Sequence, residues 1–484
     1  MAPGWLLPGL LNTALAMALL LALLLLGTVL GKGLGLHRWG IPEALIAGTL
    51  GLLLAPGGAL PLLPEAVIQL WDQLPLILLT LVFAGLLLGK PLPGGASLWR
   101  PLTAQVLLAL TLGCGQYLVA GLAVWLVLQP LLGVSPVMAC LIEVAFEGGH
   151  GSAAAMGPTY ERLGVAGGET LGLAMATVGL LASTVVGGVL VVLARRLGWL
   201  ATPRPADGAA GADATDGADA APPPTAASAA TTAAATSTDA AGIRPPPLRA
   251  AGVLLSGWLV NLGLAGIAVA LGWSMLEGLR WWLVPGGGLA ATVVTSLPVF
   301  PLALLGSLIV RLLLERTGLA GLASSSMQSR MGTLSADLLI AAATACLDLS
   351  LLAEQWLPLL VLALAGLIWN LAVVLLLGRA ILPAPWFERS ILEFGQATGV
   401  AASGLLLLQM ADPEDRGQAL PPFSIKQLLM QPLLAGGVVT VLAPLAVSGL
   451  GLPVFIGLAL ALVLLWGGLG LALARVSPGA AHLG

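Results

Sequence analysis

Apolar runs of bilayer-spanning length recur along the whole 484-residue chain, and this feature most constrains what it can fold into. About 20 consecutive apolar residues cross a hydrocarbon core. With no water there, only structures that satisfy their own backbone hydrogen bonds survive. Charged residues make up 8% of the chain against 58% hydrophobic, whereas soluble domains carry about 25% charged residues. The chain is therefore expected to be an all-α integral membrane protein. Its first run, "LLNTALAMALLLALLLLGTVLG", is too long for a signal-peptide core and has no basic flank before it. It reads as a retained helix.

Between Ala201 and Gly242 there is no Val, Ile, Leu, Met or aromatic residue. Such a stretch cannot bury enough surface to offset the entropy of ordering, so 199–247 reads as a flexible linker. It separates a first hydrophobic half, 1–198, from a second, 248–484. The halves read as copies. "IPEALIAGTLGLLLA" at 41 has a counterpart in "LPVFPLALLGSLIVRLL" at 297, and "WDQLPLILLTLVFAGLLLG" at 71 in "ADLLIAAATACLDLSLL" at 336. "FEGGHGSAAA" at 146 aligns with "FGQATGVAAS" at 394, matching Phe146 with Phe394 and Gly151 with Gly399.

Spanning helices are expected near 11–31, 41–56, 72–89, 102–129 and 168–193, then near 249–272, 290–312, 333–353, 357–378, 428–449 and 453–474. The last is extra to a five-plus-five plan. Segments 136–160 and 387–411 carry the glycine motifs. If each dips in and returns, and the N-terminus is outside, all 19 Lys and Arg except Arg162 and Arg280 face the cytoplasm. If both segments cross instead, the bias vanishes. The re-entrant topology places the linker in the cytoplasm and makes the halves inverted-topology repeats, the build of many secondary transporters. The expected location is a cell's inner or plasma membrane.

Non-helical backbone at membrane depth is tolerated only where protein or a water-filled cavity satisfies it. The run Gly148–Gly149–His150–Gly151–Ser152 supplies the permissive backbone for such a break, and Gln396, Thr398 and Gly399 stand in the matching place of the second half. Freed amides at a half-helix start face an anion, and freed carbonyls at a half-helix end coordinate Na⁺. His150 has three readings: a bond to substrate, a proton relay, or a bond to a nearby carbonyl. Glu143 and Glu147 are either Na⁺ ligands or water-exposed, with at least one placed at the hairpin's mouth. Asp337 and Asp348 read as interfacial residues near helix ends, and Glu161–Arg162 as a solvated hairpin end. No Lys or Arg falls at the expected midplane. Cys114, Cys140 and Cys346 show no metal-ligand spacing, and there is no nucleophile–base pair or cofactor fingerprint, so the chain is not expected to be an enzyme.

"GGHGSAAAMGPTYERLG" followed by "LAMATVGLLASTVVGGVL" resembles the first signature of the sodium/glutamate symporter family. The Ile41–Pro42–Glu43 helix start and "LSADLLIAAATACLDLSLL" are similar to that family too. The resemblance implies a Na⁺-driven carrier of glutamate or a related small anionic solute, with inverted five-helix repeats, an elevator-like movement and a homodimer. No organic cofactor and no nucleic-acid partner are implied. Thr177 and Ser183, placed near the first hairpin, and Gln431 in the second half are the further Na⁺-ligand candidates. The second signature departs from the family pattern, since Gln396 and Thr398 stand where more glycine and a histidine are expected.

Overall fold

The computed structural model describes residues 6–35, 42–88, 99–200, 248–287, 291, 294–295, 297–413, 415–431 and 433–476. Of the expected linker 199–247, residues 201–247 lie outside these. Among the described residues all regular structure is helical. The first half holds α1 (Leu6–Gly33), α2 (Glu43–Leu54), α3 (Glu65–Gly85), α4 (Trp99–Leu132), the paired α5 (Pro136–Phe146) and α6 (Gly149–Arg162), and α7 (Gly168–Leu197). The second holds α8 (Leu248–Leu283), α9 (Phe300–Arg316), α10 (Ser325–Ala345), α11 (Trp356–Ile381), the paired α12 (Trp386–Thr398) and α13 (Ala401–Ala411), then α14 (Leu420–Met430), α15 (Val438–Leu450) and α16 (Leu452–Arg475).

Among the described residues, seven helices are long and apolar enough to cross a membrane, compatible with a multi-pass membrane protein. The sequence reading expected eleven. Helix α2 has 12 residues, about 18 Å at 1.5 Å per residue, short of a roughly 30 Å core. Helix α10 begins with the polar "SSMQSRMGT". The expected span at 428–449 is interrupted between Met430 and Val438. The extra C-terminal helix is present as α16 and packs along α4.

The two halves repeat a local irregularity that no hydropathy pattern displays. Helix α4 carries a π-helical turn at Val124–Leu128 and α11 one at Val373–Leu377. Each is followed by a final four-residue helical turn and then by a broken pair.

Helices α1–α3 pack with α8–α10 as one group, while α4–α7 and α11–α16 form the other. Lipid tails are as apolar as leucine, so helix association in a bilayer depends on close van der Waals contact, which small residues allow. Accordingly, α8 meets α9 at Gly272 against Ala303 and at Gly306 against the Ala268 carbonyl. Helix α2 meets α10 at Gly48 against Thr344 and Gly51 against Ala345.

Helix α7 acts as a spine for the second group. Its first turns pack on α6, through Gly168 against Tyr160 and Gly172 against Ala153. Its middle touches both helix breaks, and its last turns pack on α13 through Gly187 against Leu407 and Arg195 to the Met410 carbonyl. Trp199, just past the end of α7, lies 5.5 Å from Trp386 at the start of α12. The two broken pairs thus approach from opposite ends of α7 and meet midway along it. Gly306→Val would drive a branched side chain into the α8–α9 contact. Overpacking of this kind costs about 1–3 kcal/mol, so thermal unfolding in detergent should shift down by several degrees, and by less for Gly263→Val, where nothing lies within 4 Å of the added carbon.

Candidate functional site

The two breaks touch. Gly149 opens α6 with φ +66°, a left-handed conformation, and a methyl group there would sit 2.7 Å from Val400 Cγ1. Across the contact, α12 ends at Thr398 and the chain is extended at Val400 before α13 begins. Gln396 of the second break donates to the first, to the Glu147 carbonyl at 3.4 Å and to its Oε1 at 3.5 Å. The backbone groups freed at a helix terminus need partners. The Ala397 carbonyl has two of them, Gln116 Nε2 from α4 and Asn370 Nδ2 from α11. Asn370 also donates to Thr398 Oγ1 at 3.0 Å, and Gln116 to Asn370 Oδ1 at 3.2 Å.

Glu143 and Glu147 are both buried, 0% and 5% exposed, so neither lies at a hairpin mouth. The reason is packing: α5 is enclosed by α4, α6, α7, α11 and α12. Glu143 is saturated with donors. Tyr117 Oη donates at 2.6 Å to one oxygen, and Thr440 Oγ1 at 2.9 Å and the Ala435 amide at 3.3 Å to the other. It pins the first hairpin to the interruption between α14 and α15, where Ala435 itself has φ +54°. Glu147 differs, because its Oε2 is buried with no partner, as are Gln396 Oε1 and Ser152 Oγ. Ser152 lies beside Gly148 and Gly436.

His150 Nε2 is 3.0 Å from Thr177 Oγ1, and that hydroxyl lies 3.0 Å from the Leu173 carbonyl. The hydroxyl proton goes to the carbonyl, so Nε2 is the donor to Thr177 and Nδ1 is the acceptor. Thr177 therefore joins the first hairpin as the sequence reading expected. Ser183 does not: it packs against Gly399 of the second break, because six further residues along α7, about 1.7 turns, carry it past the first. Gly151 faces away from the break contact, toward Leu79 of α3 and Leu339 of α10. Gln431 ends α14, half-buried, with no side-chain bond to either break.

Several residues escaped the sequence reading. Gln116, Tyr117, Asn370 and Thr440 are single polar residues inside apolar runs, and ionisable or polar groups at such depth are the available signal. Lys426 is the larger omission. The expectation of no cation near the site assumed one continuous span at 428–449. Instead, α14 places Lys426 at 0% exposure, with Nζ 2.8 Å from Glu393 Oε2 of α12. Asp337 lies inside α10 rather than near an end. Asp348 does cap a short helix, Leu349–Glu354, and hydrogen bonds from Ser350 and Leu351 hold its carboxyl below the usual range. Glu161 and Arg162 are exposed as expected. The three cysteines are free, and no cluster of metal-ligating side chains is found among the described residues.

No protein-family model, no curated protein and no solved structure matches the chain.

The contact between the breaks can be separated from backbone strain. Gly133 also has positive φ, +65°, but nothing lies within 4 Å of an added carbon there. Both Gly149→Ala and Gly133→Ala incur about 1–2 kcal/mol for left-handed backbone, and only the first also collides with Val400. Thermal melts in detergent should show the larger loss for Gly149→Ala. Glu143→Leu should be more damaging than either, since it strips three donors of their acceptor at about 1–3 kcal/mol for each group left unpaired.

Proposed function

We propose that the chain is a secondary active transporter, a Na⁺-coupled symporter of glutamate or a related small anionic solute working by alternating access. One observation carries this reading: two broken helices, entering from opposite ends of α7, meet at Gly149 and Val400 inside buried polar surroundings. Broken backbone at depth is stable only where it is satisfied by protein or lines a cavity, and opposed half-helices of this kind form solute and ion sites in transporters built as inverted repeats. The paired π-helical turns and the matching order of elements in the two halves support that repeat.

In this reading Glu147 Oε2 and Gln396 Oε1, buried and unpartnered, are oxygen ligands for the coupling cation. Na⁺ is a hard ion that takes carboxylate and carbonyl oxygens, and these two belong to different hairpins. Binding the cation therefore draws the two breaks together. The amides at the start of α6 face the solute's negative charge, while His150, whose Nε2–H is taken by Thr177, holds that first turn against α7. Cation and solute then stabilise the same closed arrangement, which is the thermodynamic basis of coupling. The resemblance of the Gly148–Gly151 run to the sodium/glutamate symporters agrees with this assignment.

Purified protein in liposomes should accumulate labelled glutamate only under an inward Na⁺ gradient. Glu147→Gln should reduce Na⁺-driven uptake at least about ten-fold, the scale of one lost charge-assisted contact. His150→Ala should lower uptake as well. Uptake driven equally by a proton gradient would replace Na⁺ as the coupling ion. Absence of uptake of every amino and organic acid in either gradient would overturn the transport reading.

A further inference from the structure

The Glu393–Lys426 pair has no role in the arrangement described so far. Lys426 Nζ is 2.8 Å from Glu393 Oε2, and the two side chains are 0% and 1% exposed. The ammonium also lies 4.6 Å from the Phe423 ring centre. Glu393 Oε1 takes only a long bond, 3.4 Å, from Gln105 Nε2 of α4, and Gln105 Oε1 is buried with no partner. A Lys ammonium has three protons to donate, and Glu393 takes one. The pair therefore sits among an unused acceptor and unused donors.

A packing role accounts poorly for it. Removing two charges from water costs several kcal/mol per ion, and apolar pairs of similar volume are often as stable or more so. The two charges also sit on broken elements rather than on continuous spans. Glu393 lies six residues before Gly399, and Lys426 four residues before the end of α14 at Met430.

We propose that Glu393 and Lys426 form the receptor for the zwitterionic head of an α-amino acid. The solute enters between the two charges. Its carboxylate replaces Glu393 as the partner of Lys426, and its ammonium replaces Lys426 on Glu393 while donating to the vacant Gln105 oxygen. One ion pair becomes two, the net charge of the pocket is unchanged by the head group, and no charge is left unpaired in either state. The assignment rests on the carrier reading above and fixes its solute class: a primary amine beside a carboxylate is required.

The test measures binding and uptake of labelled L-glutamate and of labelled glutarate, the same carbon chain without the amine, by the full-length protein with Na⁺ present. Wild type should prefer glutamate at least about ten-fold. Glu393→Gln should bring the two probes to within about three-fold of each other, and Lys426→Gln should weaken both by about 100-fold, the scale for losing one member of a buried charge pair. If a single substitution prevents folding, the double variant Glu393→Gln/Lys426→Met leaves no unpaired charge, and it should fold by thermal melt yet bind no glutamate. Glutamate binding retained in Lys426→Gln or in the double variant overturns the proposal, as does a Glu393→Gln protein that keeps its preference for the amine. Wild type that takes glutarate as well as glutamate overturns it too, while leaving the carrier reading intact. Wild type that moves neither these probes nor any other amino or organic acid removes both.

Discussion

Everything in the second helix group depends on how interrupted backbone is satisfied away from water. At the end of α12 the Ala397 carbonyl takes two amide donors, one from each half of the chain, Gln116 of α4 and Asn370 of α11. At the first break Gly149 adopts a backbone conformation that brings it against Val400. Without those donors the second break would leave a polar group stranded at a cost of several kcal/mol. The helix would then gain by closing, and the meeting point of the two halves would disappear. Gln116 and Asn370 are thus what holds the second break open.

Glu143 and Glu147 show how neighbouring carboxylates acquire different tasks. They are four residues apart, hence one helical turn, and both are buried. Glu143 accepts from Tyr117, Thr440 and the Ala435 amide, so its charge is already spread over three donors. It fastens the first hairpin to the interruption between α14 and α15. Glu147 keeps an oxygen without a donor, which leaves it available to something that arrives. Composition gives both the same letter, and only the set of donors around each separates a saturated carboxylate from one with an open oxygen.

Much of this was legible beforehand. The membrane class, the helical content, the two broken segments and their boundaries within a few residues all follow from apolar run length and the Gly148–Gly151 cluster. The touching of Gly149 and Val400 was foreshadowed by the alignment of the two motifs. What stayed hidden has a common cause. Lys426 and Thr440 flank an interruption whose glycines, Gly436 and Gly437, sit inside a run apolar enough to pass as one continuous helix. Ser183 was misplaced because helical spacing fixes which face a residue occupies but not which neighbour that face meets. The π-helical turns in α4 and α11 leave no trace in periodicity that a hydropathy pattern resolves.

The two broken pairs are matched in sequence but not in surroundings. Helix α6 packs against α3 and α10 of the other helix group, with Gly151 set on Leu79 and Leu339, and its residues 149–157 are buried or half-buried. Helix α13 makes no comparable contact with those helices and leaves Gln409 and Met410 exposed. Because Gly151 has no side chain, α6 can lie directly on Leu79 and Leu339, so the size of this one residue sets how closely the two helix groups approach.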